Sequence, residues 1–276
     1  MDEAFRILDD GRVFFDYGPA SMVVTARRGD ENLSDLAASA FPFLRDSLSE
    51  IAGALPILRQ YPDGMDYSEL TGLPRVMAES VLATGEPTLT PMAAVAGTVA
   101  DAMADWLFAR GADLVAVNNG GDVALRFGEG RSIRMGILPD LNGRVTEIVE
   151  IRAEDGIGGV CTSGLGGRSL TRGIAGGVTV FSRRCALADA CATHIANCSY
   201  IESPRVHTCL AGEIEPESDI ASLRIVTAVE PLLPEEKKCG LMQVYEETER
   251  QWKNGNLVRV YADIQGERLT FERSAQ

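Results

Sequence analysis

The sequence predicts an α+β protein in which paired antiparallel sheets are backed by helices. Three observations predict this class: β-branched runs bounded by glycine turns, two helices rich in small residues at 90–110 and 186–197, and a strand–turn–strand order at 112–136. Because each half of the chain pairs such strands with one small-residue helix, we also predict an internal pseudo-duplication. We therefore treat residues 1–276 as a single domain made of two intimately packed halves.

The composition favours a folded protein that binds a small molecule. Hydrophobic residues make up 45% of the 276 positions, so a sizeable core is available. A formal net charge of −14 repels nucleic acid, and an anionic ligand would need a local cation, a helix N-terminus or arginines. We expect no membrane span, because no apolar run is long enough, and no signal peptide, because no positively charged N-terminus is followed by an apolar run. Six cysteines in a chain of this length are expected to stay reduced, which predicts a cytoplasmic location.

The N-terminal part predicts short strands followed by a helix. Residues 12–15 follow an Asp-Asp-Gly turn signal and predict one arm of a hairpin, and residues 21–26 predict a β-branched strand. Apolar residues within 31–60 recur at helical spacing. Pro42 is expected to break or kink that helix, and Pro56 to open another short turn.

The clearest helix is predicted at 90–110, after a shorter one at 74–83. Thr90 is a favourable N-cap residue, and Gly111 is a typical helix stop. One stripe of this helix is small and acidic, which permits the close approach of a ligand or of another backbone, or tight packing of the helix on a sheet. The stripe consists of Ala94, Gly97, Asp101 and Ala104.

A meander is predicted next, with strands at 114–117, 123–127 and 133–137. The turn at 118–122 contains two glycines. Successive N–H groups of such a turn can bind one anion, but the same residues also form an ordinary hairpin turn.

A glycine-rich loop is predicted to lead into a strand at 178–181 and then into the helix at 186–197. On this helix Asp189 and Thr193 lie four residues apart, so they share one face, one turn from each other. A carboxylate above a hydroxyl can hold a cation or reach a phosphate. The alternative is a polar pair on a solvated face. Further predicted elements are strands at 147–152 and 224–228, a linker at 229–240, a charged helix at 245–254, and a closing hairpin at 258–264 and 269–273.

Three short motifs occur together: the turn at 119–122, Thr-Ser-Gly at 162–164, and Ala-Asp-x-x-x-Thr at 188–193. In this order and at these spacings they resemble the flavin transferase superfamily, the ApbE-like proteins that move FMN from FAD to a protein threonine. The resemblance covers roughly residues 85–197, and the chain looks closest to a shorter cytoplasmic branch of the superfamily.

The resemblance implies a tunnelling-fold-like architecture and a magnesium site. Asp189 and Thr193 would hold Mg²⁺ beside the pyrophosphate of a flavin nucleotide, and Mg²⁺ prefers such protein oxygens together with waters and phosphate oxygens. FAD or a related nucleotide or pterin is the expected cofactor. The cofactor-binding residues expected from these motifs are Asn119, Gly120, Gly121, Asp122, Thr162, Ser163 and Gly164.

Two departures from the superfamily pattern predict a different reaction. Residues 92–97 keep Gly97 but lack the lysine of the Gly-Gly-x-Ala-Lys-Gly pattern. Residues 166–173 stand where the transferases carry His-x-x-Asp-Pro-x-Thr-Gly, and they contain no His, Asp or Pro. Arg168 and Arg172 lie there instead, which predicts binding of a carboxylate or phosphate of the cofactor. The alternative is a pair of surface arginines.

A second group of residues predicts a separate metal site. Cys191, His194 and Cys198 fall on one helical face, which points away from the predicted magnesium site. Cys/His clustering is typical of zinc, but this spacing matches no standard zinc pattern, and buried cysteines in such helices commonly serve packing. His207 is expected in a loop.

These observations give three functional hypotheses. The first is a Mg²⁺-dependent enzyme that acts on a nucleotide-, flavin- or pterin-like small molecule, related to FAD:protein FMN transferases without transferring FMN itself. The second is a non-catalytic cofactor-binding or scaffold protein with the same fold. The third is a Cys/His zinc-binding protein. The expected partner is a small molecule, with no nucleic acid and no membrane, and a homo-oligomer is left open.

Overall fold

The computed structural model describes residues 5–62, 66–137, 147–167 and 169–272. One antiparallel sheet of ten strands forms the centre of the molecule. Its strands are β1 (Phe5–Ile7), β2 (Val13–Tyr17), β3 (Ala20–Arg28), β4 (Glu31–Asn32), β5 (Leu114–Asn119), β6 (Asp122–Phe127), β9 (Gly159–Ser163), β10 (Gly177–Ser182), β13 (Arg259–Ile264) and β14 (Glu267–Glu272). Their order across the sheet is β1-β2-β3-β5-β6-β9-β10-β13-β14, with β4 paired to β3.

Two antiparallel ribbons and several helices surround this sheet. The ribbons are β7 (Ser132–Ile137) with β8 (Glu147–Arg152), and β11 (Val206–Leu210) with β12 (Arg224–Val229). The helices are α1 (Ser34–Ala38), α2 (Phe41–Leu58), α3 (Gly72–Thr84), α4 (Val95–Phe108), α5 (Cys185–Cys198), α6 (Ala211–Ile214) and α7 (Pro234–Lys253). The predicted α+β class, with antiparallel sheets backed by helices, is confirmed, whereas the internal pseudo-duplication and the single domain stay predictions.

Both faces of the central strands are buried, and successive residues alternate between two cores. On β10, Val178 and Val180 belong to the large core beneath the helices, while Phe181 packs on the opposite face. Ile137 and Ile151 of the β7–β8 ribbon cover that opposite face. Burial on both sides explains why these strands read as continuous β-branched runs.

Of the two prolines of α2, one behaves as predicted and one does not. The helix predicted within 31–60 is divided into α1 and α2, and Pro42 lies in the first turn of α2, where its missing N–H leaves no hydrogen bond unmade, so the break predicted at Pro42 is confirmed. Pro56 lies inside α2 near its end and opens no separate turn, so that prediction was wrong. The helix predicted at 90–110 begins as a short 3₁₀ turn, Pro91–Ala94, and continues as α4.

Several predictions in the second half needed correction. The strand predicted at 133–137 exists, but it pairs with β8 in the separate ribbon and does not extend the meander. Residues 159–163, predicted as glycine-rich loop, form β9, a buried strand of the central sheet. His207 lies on β11 and not in a loop. The predicted linker at 229–240 ends at Pro234, because proline at the first helical position starts α7 there.

Candidate functional site

Most of the predicted site residues converge on a cleft with two adjoining lobes. The first lobe has a volume of about 370 Å³ and the second about 500 Å³, and both are lined by Asp122, Asp189 and Thr193. The first lobe also contains most of the remaining predicted residues, and the second contains Arg172. The additional predicted residues of the first lobe are Asn119, Gly120, Thr162, Ser163 and Gly164.

The two-residue turn between β5 and β6 places Asp122 in the cleft. Gly120 and Gly121 both have positive φ, at 70° and 118°, as a tight hairpin turn of this type requires. The N–H of Gly121 donates to Asn118 Oδ1 at 2.9 Å. The Asn118 side chain therefore stabilises the turn. Of the turn residues predicted to bind the cofactor, Gly121 lines neither lobe.

The other predicted residues approach from the end of β9 and from the segment that follows it. The hydroxyls of Thr162 and Thr179 lie 2.8 Å apart, which ties the end of β9 to β10. Arg172 donates from Nη1 to Thr88 Oγ1 at 2.6 Å, so its guanidinium is held at the second lobe. Arg168, the other arginine predicted to bind the cofactor, lies outside the described residues.

Asp189 reaches the cleft because α5 packs very closely on α4. A Cβ on Gly97 would lie 2.5 Å from the carbonyl oxygen of Cys185 and 2.8 Å from Asp189 Cβ. The small residue therefore permits the approach of another backbone, one of the alternatives raised by the sequence. The N–H of Gly97 donates to Asp189 Oδ2 at 2.8 Å. Asp189 thus accepts from the first turn of α4, where the helix dipole favours a negative charge.

A second carboxylate makes the reverse contact between the same two helices. Asp101 of α4 accepts from the N–H of Ala186 at the start of α5, with a distance of 3.0 Å at Oδ2. Its Oδ1 forms an ion pair with Arg126 at 2.7 Å, and the Asp101 side chain is 2% exposed. Arg184 lies 3.4 Å from the same carboxylate. The two helices are therefore held in register by exchanged carboxylates, and Asp101 has a structural role.

The electrostatics of the cleft favour an added cation. Burial raises the pKa of Asp122 to about 6, although hydrogen bonds from Cys161 and from the backbone of Thr162 act to lower this pKa. Burial raises the pKa of Asp189 well above its usual range, and the charge of Asp122 raises it further. Two neighbouring carboxylates destabilise each other's charge, and a cation placed between them reverses that effect.

Sequence reasoning did not identify several residues of the second lobe. Thr88, Asn197 and Asp219 line it, and Asp219 accepts a hydrogen bond from the Thr90 hydroxyl. Thr90 therefore contacts a distant loop and makes no side-chain cap to the following helical turn. Thr90 and Asp219 are 129 residues apart in the chain, so no local sequence pattern could predict their contact.

The predicted Cys/His group is only partly assembled. His194 and Cys198 are joined by Glu247 of α7, with all three ligand atoms within 4.8 Å of one another, whereas Cys191 lies outside this group. Burial, together with the charges of Glu247 and Glu86, raises the pKa of Cys198 to about 12. These residues line neither lobe of the cleft, so the group lies apart from Asp189 and Thr193, while metal binding at either place stays a prediction.

All six cysteines, which lie within the described ranges, are free thiols. Within those same ranges, no helix has the length and apolarity needed to cross a membrane.

Comparison with known proteins identifies archaeal relatives. A UPF0280 protein from Methanococcoides burtonii is 31% identical over 180 residues, which are 65% of this chain and 74% of that protein. A UPF0280 protein from Methanopyrus kandleri is 41% identical over 142 residues, 49% of this chain and 54% of that protein. The chain thus spans about half the length of the second relative.

The same fold occurs among solved structures. A mutant of the flavin transferase ApbE from Vibrio cholerae has a TM-score of 0.50 and 12% sequence identity, covering 94% of this chain and 96% of that one. At this identity the likeness concerns the fold alone. The family described as AbpE bacteria matches residues 5–270, and the chain therefore belongs to this ApbE-like family.

Proposed function

We propose that this protein is a Mg²⁺-dependent enzyme that acts on a flavin-, nucleotide- or pterin-like small molecule, by a reaction other than FMN transfer to a protein. The observation that carries the proposal is the position of Asp122, Asp189 and Thr193 where the two lobes of the cleft meet. A ligand that fills both lobes would pass directly over these three oxygen-bearing side chains.

The residues present fit a magnesium ion. Carboxylate and hydroxyl oxygens are the ligands that Mg²⁺ takes from proteins, usually one or two of them beside waters and phosphate oxygens. Burial raises the pKa of both Asp122 and Asp189, and the charge of Asp122 raises that of Asp189 further, so a bound cation would stabilise the charged form of both carboxylates. The described lining of the first lobe contains no Lys or Arg that supplies a positive charge. When bound, Mg²⁺ would neutralise phosphate oxygens and fix their orientation.

Other side chains of the first lobe suit the remaining parts of such a ligand. Thr162 and Ser163 offer hydroxyl donors to phosphate oxygens. Leu48, Val95 and Val99 form an apolar wall that suits a flat heteroaromatic ring. At the second lobe, the guanidinium of Arg172 is available for a carboxylate or a second phosphate, as proposed from the sequence.

The described lining residues of both lobes include neither lysine nor histidine. This observation supports a reaction other than FMN transfer, and it equally favours the second hypothesis, a protein that binds the cofactor without converting it.

Product analysis separates the enzyme from the non-catalytic binding protein. Wild-type protein incubated with Mg²⁺ and each of FAD, nucleoside triphosphates and pterins should convert at least one of them, as detected by mass spectrometry. Binding without any conversion favours the non-catalytic protein, and FMN attached to a threonine contradicts our proposal.

Replacing Asp189 with Asn is expected to abolish Mg²⁺-dependent ligand binding. The amide oxygen can still accept from the N–H of Gly97, so the contact with α4 is kept while the charge is lost. A bound ligand at 100 times its Kd stabilises the wild type by about 2.7 kcal/mol. Thermal unfolding with FAD, with and without Mg²⁺, should show this stabilisation in the wild type and not in the variant.

The matched control is Asp46→Asn on the exposed face of α2, which should keep the full stabilisation because Asp46 pairs with Arg45, its neighbour in the chain. Equal stabilisation with and without Mg²⁺ would argue against a cation in the site. If Asp189→Asn shows the same Mg²⁺-dependent stabilisation as the wild type, Asp189 does not take part in cation binding.

A further inference from the structure

A second group of metal-ligating side chains lies between α5 and α7, away from the cleft. His194 is 2% exposed, and its Nε2 lies 2.8 Å from Glu247 Oε1. Cys198 follows His194 by one helical turn and therefore lies on the same face of α5. The three potential ligand atoms lie within 4.8 Å of one another. Imidazole, thiolate and carboxylate are together the ligand types that Zn²⁺ accepts.

The distances between the three ligand atoms suit a tetrahedral metal ion after a small adjustment. Bonds of roughly 2.0–2.3 Å place the ligand atoms of a tetrahedral zinc site about 3.3–3.8 Å apart. The Nε2–Oε1 pair is slightly closer than this, and the outer limit of 4.8 Å is about 1 Å longer. Metal binding would have to close this difference by drawing the ligand atoms together, and a water would complete the fourth position.

Outer contacts hold two of the three groups in place. Gln251 is fully buried and donates from Nε2 to Glu247 Oε1 at 2.7 Å. Its Nε2 also donates to the carbonyl oxygen of Thr84 at 2.7 Å, which fixes the amide. On the other side of the ring, Glu86 Oε2 lies 3.7 Å from His194 Nδ1. A carboxylate behind the second ring nitrogen is the usual support of a metal-bound histidine.

Arg250 provides the positive charge at the opening of this group. Its Nη2 lies 2.8 Å from Glu247 Oε2 and 3.3 Å from His194 Nε2, so one nitrogen contacts both prospective ligands. The Arg250 side chain is 56% exposed, which lets it swing into solvent at small cost. The guanidinium thus lies where a cation is attracted, and it is the group that a metal ion would displace.

We propose that His194, Cys198 and Glu247 form a second metal site, specific for Zn²⁺ or a similar borderline divalent ion, with Arg250 competing for the same carboxylate. The Cys198 thiol releases its proton to solvent when the sulfur–metal bond forms. The imidazole binds as the neutral ring through Nε2. This site does not depend on the proposed function of the cleft, because its ligands line neither lobe.

Cobalt titration tests the site directly. Protein stripped with a chelator and titrated with Co²⁺ should develop a thiolate-to-cobalt charge-transfer band, which one equivalent of Zn²⁺ removes. Cys198→Ser should lose the band. His194→Gln should weaken Co²⁺ binding by more than the roughly 10–100-fold that loss of an outer partner costs. Circular dichroism of each variant shows whether the fold is kept, and Glu247→Gln provides an independent ligand variant.

Two control variants keep the result specific. Cys239→Ser removes an exposed thiol of α7, and Asp46→Asn removes an exposed carboxylate of α2, so both should leave the band unchanged. Arg250→Ala should tighten Co²⁺ binding by about two- to fivefold, the range of a partly exposed ion pair. The proposal is overturned if folded wild-type protein gives no band, or if the band survives in Cys198→Ser. Unchanged or weaker binding in Arg250→Ala would overturn the competing role of Arg250.

Discussion

Replacing Arg126 with Met is expected to lower the free energy of unfolding by about 3–5 kcal/mol, the range for removing one partner of a buried ion pair. Methionine keeps most of the apolar stem, so the loss reports mainly on charge. The Arg126 side chain is 13% exposed and contacts Asp101, which is 2% exposed. Without the guanidinium, the buried carboxylate keeps the N–H of Ala186 and the more distant Arg184. Urea unfolding of both proteins measures the difference.

The matched control is Arg75→Met, because Arg75 forms an exposed pair with Glu79 one turn along α3. That change should stay within about 0.5 kcal/mol. Adding Asp101→Asn to Arg126→Met should restore part of the lost stability, because the amide can still accept from Ala186 without leaving a charge buried. A loss below about 1 kcal/mol for Arg126→Met, or no recovery in the double variant, would show that the ion pair between β6 and α4 contributes little to stability.

Local sequence signals predicted the parts of the cleft that depend on short-range chemistry. The turn before Asp122 was recognisable because two adjacent glycines permit positive φ, and the α5 pair was recognisable because residues 189 and 193 repeat at helical spacing. The resemblance to the flavin transferases supplied their order along the chain. The central sheet then brings the β5–β6 turn and the end of β9 to the same region as α5.

Contacts between segments that are far apart in the chain could not be predicted from the sequence. Glu247 completes the group around His194 from 53 positions away, and nothing in the charged pattern of α7 distinguishes it from its neighbouring glutamates. β9 was missed for a different reason. Glycines lower strand propensity, yet Gly159 is required there because a Cβ would lie 2.2 Å from Cys185 Cα. Burial and close packing stabilise β9 as a strand, and neither can be recognised in a single sequence.

Replacing Gly97 with Ala is expected to lower the free energy of unfolding by about 1–3 kcal/mol and to weaken ligand binding in the cleft at the same time. The new methyl group meets the carbonyl oxygen of Cys185 at 2.5 Å, and this atom belongs to the backbone of α5 and cannot move alone. The helices must separate, and Asp189 moves with α5 because its Cβ lies 2.8 Å from the same position. Urea unfolding and the Mg²⁺-dependent thermal shift with FAD measure the two effects.

Gly53→Ala on α2 is the matched control, because no atom lies within 4 Å of the Cβ position there and the residue is also helical. This change should stabilise the protein by up to about 1 kcal/mol, since alanine is the better helix former. If Gly97→Ala also stabilises, the contact between α4 and α5 is looser than the structure shows. If it destabilises but leaves ligand binding intact, Asp189 does not depend on that contact for its position. A combined loss would show that one close approach of two helices both stabilises the fold and positions the carboxylate of the cleft.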